Sequence, residues 1–178
     1  METVYFRKIN QVKREKEHLE KKLNVTLQIV GKKVVLEGSP LDEYEATIVL
    51  EAIQFGFSIA KALLLKDDQL IFRKLSIKQF TRRKNLEEVR ARIIGTEGKT
   101  KHTIEEISRC LIVINENTVG IIGSAEGIEE ATTALMNLIR GSKQANVYRF
   151  LERMNAAKKR IYPEIERKKK RDEHYYKK

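Results

Sequence analysis

The stretch EGSPLDEYEATIVL at residues 37–50 returns, altered, as IGSAEGIEEATTAL at 122–135. Gly38 matches Gly123, Ser39 matches Ser124, Glu45 matches Glu130, Ala46 matches Ala131, Thr47 matches Thr132 and Leu50 matches Leu135, every pair 85 positions apart. The same offset joins Arg7 to Arg92, Ile29 to Ile114, Val34 to Val119 and Gly56 to Gly141. An offset held without a gap from Arg7 to Gly56 means one small unit is built twice. Two copies cannot make a solenoid, so the chain reads as tandem small domains. Its 178 residues suit that size.

The second copy is the easier to parse. Residues 71–77, IFRKLSI, predict a strand, and the basic loop TRRK follows at 81–84. Asn85 is placed to cap a helix over 85–94, with Glu87 and Glu88 in the first turn where the helix dipole favours anions. Gly95 ends it, and a second helix starts after Gly98. Residues 110–114 and 119–122 predict two short apolar strands joined by a hairpin at Glu116-Asn117-Thr118. A last helix runs from Ser124 to Ile139, with Ile128, Ala131, Leu135, Leu138 and Ile139 at helical spacing and Gly141 as its C-cap. In the first copy, residues 22–30 and 34–37 predict the corresponding strands. Ser39 to Asp42 reads as a capping box with Pro40 in the first helical position, where its missing N–H costs nothing. The front half of that copy reads as eroded: Asn10, Gln11, Val12 and Lys13 stand where Gly95, Thr96, Glu97 and Gly98 stand in the second. The fold class is α+β, each copy ordered β-α-α-β-β-α with a small antiparallel sheet packed on helices.

Gly95, Gly98, Lys99 and Thr100 at a helix mouth suggest phosphate binding. A nucleotide-binding P-loop needs a further glycine five residues before Gly98, where Ile93 stands, and it follows a strand rather than a helix. A helix–GxxG–helix clamp fits instead. Its glycines bend the backbone tightly and remove side chains that would hold off a ligand, and the next helix start offers N–H groups to an anion. Clamps of this kind hold the backbone of about four single-stranded nucleotides. Lys99 and Lys101 would add charge, and Glu97 should point away from the strand. Ile94, Ile104 and Ile112 or Val113 are candidates for an apolar floor under the bases, although core packing is the plainer role for at least two of them.

Composition favours a polyanionic partner, with a formal charge of +11 and a pI of about 9.7. From Arg149 to the C-terminus there are 12 Lys/Arg against 5 Asp/Glu, so over half of the excess lies there. Residues 146–178 read as one long helix or two, with Tyr148, Leu151, Met154 and Ile161 on one face and a break at Tyr162-Pro163. The run Arg167 to Arg171 would add sequence-independent RNA affinity by counterion release. Cys110 is the one cysteine, beside an apolar run, and reads as a buried structural thiol in a reducing, cytoplasmic setting. No secretory leader or membrane span is legible. The histidines lie far apart without ligand-spaced partners, so neither a metal nor a cofactor is expected. No nucleophile or acid/base couple suggests an enzyme.

The run RIIGTEGKTKHTIEE beginning at Arg92, followed by Ile121-Ile122-Gly123-Ser124 and a helix, resembles a type I KH domain. The segments GFSIAKALLLKDD from Gly56 and GSKQANVYRFLE from Gly141 narrow this. With them, the chain up to about Glu152 resembles the archaeal Dim/Krr-type ribosome-assembly KH proteins, relatives of the eukaryotic partner of the small-subunit rRNA nuclease Nob. The resemblance implies binding to single-stranded rRNA at the 3′ region of small-subunit rRNA or its precursor, and assistance to a PIN-domain endonuclease on assembly intermediates. It carries Arg92, Gly95, Thr96, Glu97, Gly98 and Lys99 over as RNA-backbone contacts. The domains are then 1–65, a degenerate KH domain without GxxG; 66–141, a KH domain with the intact loop; and 142–178, a C-terminal helix and basic tail. The alternatives are a protein-interaction adaptor that docks a partner on the first repeat, or a general KH module for mRNA or the exosome.

Overall fold

The structure, a computed structural model, describes residues 2–7 and 9–161, the side chains of 158–161 excepted. The proposed break at Tyr162-Pro163, the basic run Arg167 to Arg171 and the contribution of Ile161 to a helix face lie outside the described residues. By packing, the chain divides into two compact units, Met1–Ile77 with Leu111–Ala125, and Lys78–Cys110 with Glu126–Lys178.

The first unit holds two three-stranded antiparallel sheets. Strands β1 (Glu2–Tyr5), β2 (Thr26–Val30) and β3 (Lys33–Glu37) form one in the order β1-β3-β2. Alternate residues Leu27, Val34 and Leu36 turn inward and are fully buried, as the two-residue period of a half-buried sheet requires. Helices α1 (Asn10–Arg14) and α2 (Lys16–Leu23) contribute Val12, Leu19 and Leu23 to the same core. Helix α3 (Pro40–Phe55) begins as its sequence dictates: the Ser39 hydroxyl accepts from the Asp42 N–H at 3.2 Å, and Pro40 occupies the first turn. A short helix α4 (Ile59–Ala62) follows. Strands β4 (Leu70–Ser76), β5 (Leu111–Asn115) and β6 (Thr118–Ser124) form the other sheet, ordered β4-β6-β5. Phe55, Phe57 and Phe72 pack with ring centroids 5.7–6.3 Å apart, close to the preferred spacing of tilted aromatic pairs. Gly120 gives them room, since a Cβ there would come within 2.6 Å of Phe55 Cδ1.

The second unit is helical: α5 (Leu86–Ile94), α6 (Lys99–Ser108), α7 (Ala125–Arg140) and α8 (Gln144–Ile161). The buried residues of α7 include Ile128, Ala131, Leu135, Leu138 and Ile139, the apolar row its sequence predicts. Helix α8 packs along α6 and corrects the expected tail face. Val147 and Leu151 are buried while Met154 is exposed, because the row at 147, 151 and 155 faces α6; Asn155 donates to the Ile107 carbonyl at 2.7 Å. Cys110 is buried, its thiol directed at the Ser108 carbonyl.

The sequence repeat is also a backbone repeat. Shifting the bounds of β2 and α3 by 85 residues gives the bounds of β5 and α7. Positive φ recurs at the same offset: Asn24 (53°) with Arg109 (57°), Gly31 (62°) with Glu116 (50°), and Gly56 (127°) with Gly141 (109°). The front half departs from the offset: α2 lies at the place of α6, α1 at the place of residues 95–99, and no helix precedes them where α5 stands in the second copy.

Candidate nucleic-acid interface

Helix α5 is started by Asn85, whose side-chain oxygen accepts from the Glu87 and Glu88 N–H groups at 3.1 and 3.3 Å. Buried Val89 and Ile93 hold its inner face. It stops at Gly95, where φ is 74° and ψ 174°, a combination only glycine adopts without strain. Thr96–Gly98 form a single 3-10 turn in which Glu97 (φ 54°) and Gly98 (φ 77°) are also left-handed. The Gly98 N–H closes the turn on the Gly95 carbonyl at 3.2 Å. Helix α6 then starts at Lys99 with Gly98 as its N-cap and no side chain capping it. A helix start without a capping oxygen presents donors and the positive end of the dipole to whatever approaches.

The two glycines sit in different surroundings. A Cβ on Gly95 would lie 2.7 Å from Thr100 Cβ and 2.9 Å from the Thr100 backbone nitrogen, whereas one on Gly98 would meet nothing within 4 Å. Gly98 therefore faces open space. Thr100 is buried and accepts from Gln144 Nε2 at 2.7 Å, so the loop's inner wall is tied to the first residue of α8.

Arg92, Ile94, Gly95, Thr96, Glu97, Gly98 and Lys99 follow one another along the end of α5, the turn and the start of α6, and none of them is fully buried. Ile94 is 39% exposed. Lys99 and Glu97 are both about three-quarters exposed and lie 3.7 Å apart, so the carboxylate folds onto its neighbouring lysine. Such an exposed pair contributes little stability and yields readily to a phosphate. Lys101 is engaged: Glu105 holds it through both carboxylate oxygens at 3.0 Å. Ile104 corrects the proposed floor, because it is fully buried and has no surface to offer a base. Ile112 is 1% exposed. Val113 belongs to the first unit, where it packs against that unit's core.

Gln144 and Arg83 were not singled out for a role here by the sequence, and Thr100 was named only for the helix mouth, not for a tie to α8. Thr100 and Gln144 support the loop from 44 positions apart, a tie that no local pattern announces. Arg83 shares with Arg92 the space beside Gly141; their guanidinium nitrogens lie 3.6 and 3.2 Å from where a Cβ would be. Among the described residues no group of His, Cys, Asp and Glu is gathered to hold a metal ion, and no helix is long and apolar enough to cross a membrane.

Residues 71–156 match the family profile for the second KH domain of PNO1, described as a eukaryotic-type KH-domain (KH-domain type I). The chain is 31% identical over 170 residues to the KH domain-containing protein MJ0443 of Methanocaldococcus jannaschii, covering 92% of this chain and 75% of that one. It is 32% identical over 152 residues to the pre-rRNA-processing protein pno1 of Emericella nidulans, covering 80% of this chain and 58% of the relative. Among solved structures, Dim2p from Pyrococcus horikoshii superposes with a TM-score of 0.78 at 31% identity, over 85% of this chain and 98% of that one. A chain of the a/eIF2alpha–aDim2p–rRNA complex from the same organism also gives 0.78, at 29% identity over 88% and 94%.

Proposed function

Since the chain belongs to the KH-domain proteins of the PNO1 and Dim2 type, we propose that it is a non-catalytic RNA-binding protein of small ribosomal subunit assembly. It clamps single-stranded rRNA, from the 3′ region of small-subunit rRNA or its precursor, in the Gly95–Gly98 loop. The observation that carries this is the loop's backbone: three left-handed residues open onto the uncapped start of α6, with empty space at Gly98. Phosphate would settle against the Lys99 ammonium and the α6 amides that follow it, the Lys99 N–H itself being held by the Thr96 carbonyl, and Ile94 would offer an apolar contact to a base. The printed names of the relatives support the setting, pre-rRNA processing for the E. nidulans protein and an rRNA complex for the P. horikoshii one.

In this reading residues 1–65 and 66–141 are two KH copies, the first without its clamp, and residues 142–178 are an added helix and basic tail. The P. horikoshii relative assembles with a/eIF2alpha as well as rRNA, which favours a protein partner here too. A PIN-domain endonuclease is the partner implied by the family resemblance, and the cytoplasm is the proposed site of action. Replacing Thr96 and Glu97 with aspartates tests the clamp by adding a negative charge at Thr96, where phosphate would lie, while keeping the one at position 97 on a shorter side chain. Titration with single strands from the 3′ end of small-subunit rRNA should show at least a tenfold loss of affinity, equivalent to about 1.4 kcal/mol; equal affinity rejects the clamp. Crosslinking in cell extract separates this function from general mRNA binding, with adducts at the small-subunit rRNA terminus expected.

A further inference from the structure

The first repeat has lost the glycines, and α1 occupies the place of the clamp with no left-handed residue in it. Its cations have not been lost. At the 85-residue offset Arg7 corresponds to Arg92 and Arg14 to Lys99, the two basic residues that flank the clamp in the second repeat. In the first unit these residues line a groove of about 720 Å³ together with Lys32, Asn10, Gln11, Ile9 and Glu15, a volume within the usual range for ligand sites. The cations come from three places: Arg7 from the link after β1, Arg14 from the last turn of α1, and Lys32 from the tip of the β2–β3 hairpin. The hairpin is fixed there by the Phe6 N–H, which donates to the Lys32 carbonyl at 2.8 Å.

We propose that this groove is a second phosphate-contact site for single-stranded RNA, working through side chains where the second repeat works through backbone amides. The helix dipole accounts for a cation in the last turn of α1, but not for a lysine brought to it from a different hairpin. Arg7 is bonded to Glu116 at 2.8 Å, yet both side chains are more than two-thirds exposed, so a phosphate can displace the carboxylate at small cost. Glu15 is the carboxylate among the lining residues, against three cations. The groove reads no base and adds affinity to strands that run beyond the clamp.

This inference rests on the RNA-binding reading above, and the test separates the two. In the full chain, Arg14→Ala is combined with Lys32→Ala, both exposed residues outside the clamp. Single strands of 6 and 20 nucleotides from the 3′ end of small-subunit rRNA are titrated across a salt series. A clamp holds about four nucleotides, so the shorter strand reports on it alone. The variant should bind the 6-mer as the parent does, while its log–log salt slope for the 20-mer becomes shallower by about 1.4, or about 0.7 per lost phosphate contact. A 20-mer slope equal to the parent's overturns the second site, whatever the variant does to a protein partner. The aspartate pair at Thr96 and Glu97 serves as the control: normal 6-mer binding in that variant rejects the clamp and leaves a shallower slope in the groove variant standing.

Discussion

Gly95 and Gly98 are both glycines, but for different reasons, and substitution should tell them apart. Gly95 combines φ 74° with ψ 174° and backs onto Thr100, so an added methyl meets both backbone strain and a packed neighbour. Gly95→Ala should destabilise the protein by about 2–4 kcal/mol, the strain and the overpacking adding together. Gly98 is left-handed with nothing beside it, so Gly98→Ala should cost only about 1–2 kcal/mol. Denaturant unfolding of the two variants gives the order, and equal losses would contradict the close approach at Thr100. Glu97 already accepts a left-handed φ of 54° without being glycine, which shows that the turn tolerates a side chain where that chain points outward. Gly95 is therefore held to glycine by backbone and by a packed neighbour, Gly98 by backbone alone.

At the scale of elements, the loop depends on a helix far along the chain. Thr100 takes its hydrogen bond from Gln144, and Asn155 anchors the same helix to the end of α6. Gln144→Ala should lower stability by about 1 kcal/mol, the net worth of one such bond, and weaken RNA binding several-fold as the loop's inner wall loosens. A stability loss with unaltered affinity would make the tie a brace for the fold alone. That tie was invisible in the sequence, because nothing in a glutamine after a lysine marks a partner 44 positions back. What was legible obeyed local rules. The Ser39 and Asn85 caps, the apolar row of α7 and the strands of the hairpins follow from side-chain chemistry within a few residues. The offset then extended these features from one copy to the other. The start of the first copy was harder to read, since only Val4 of β1 is buried and a single buried valine gives no alternation. The floor failed at Ile104 for a related reason: helical spacing shows which residues share a face, not whether that face meets solvent or core.

At the scale of the whole molecule, the charge is divided between contacts that have a place and contacts that do not. The proposed clamp is one short turn, and four to six phosphate contacts there would give a single-strand salt slope of about −3 to −4. The net charge of +11 exceeds what that turn uses, and residues 162–178 hold seven Lys/Arg against four Asp/Glu. Like-charged runs attract any phosphate backbone, because counterion release does not depend on which base is attached. Ending the chain at Ile161 should therefore weaken binding to an rRNA 3′-end strand and to an unrelated strand of equal length by a similar factor. The ratio of the two affinities should stay as it was, while both salt slopes become shallower. Parallel titrations at two salt concentrations measure this. A ratio that falls on truncation would place sequence discrimination in the basic end, and would remove the distinction between a loop that positions RNA and a charge that only gathers it.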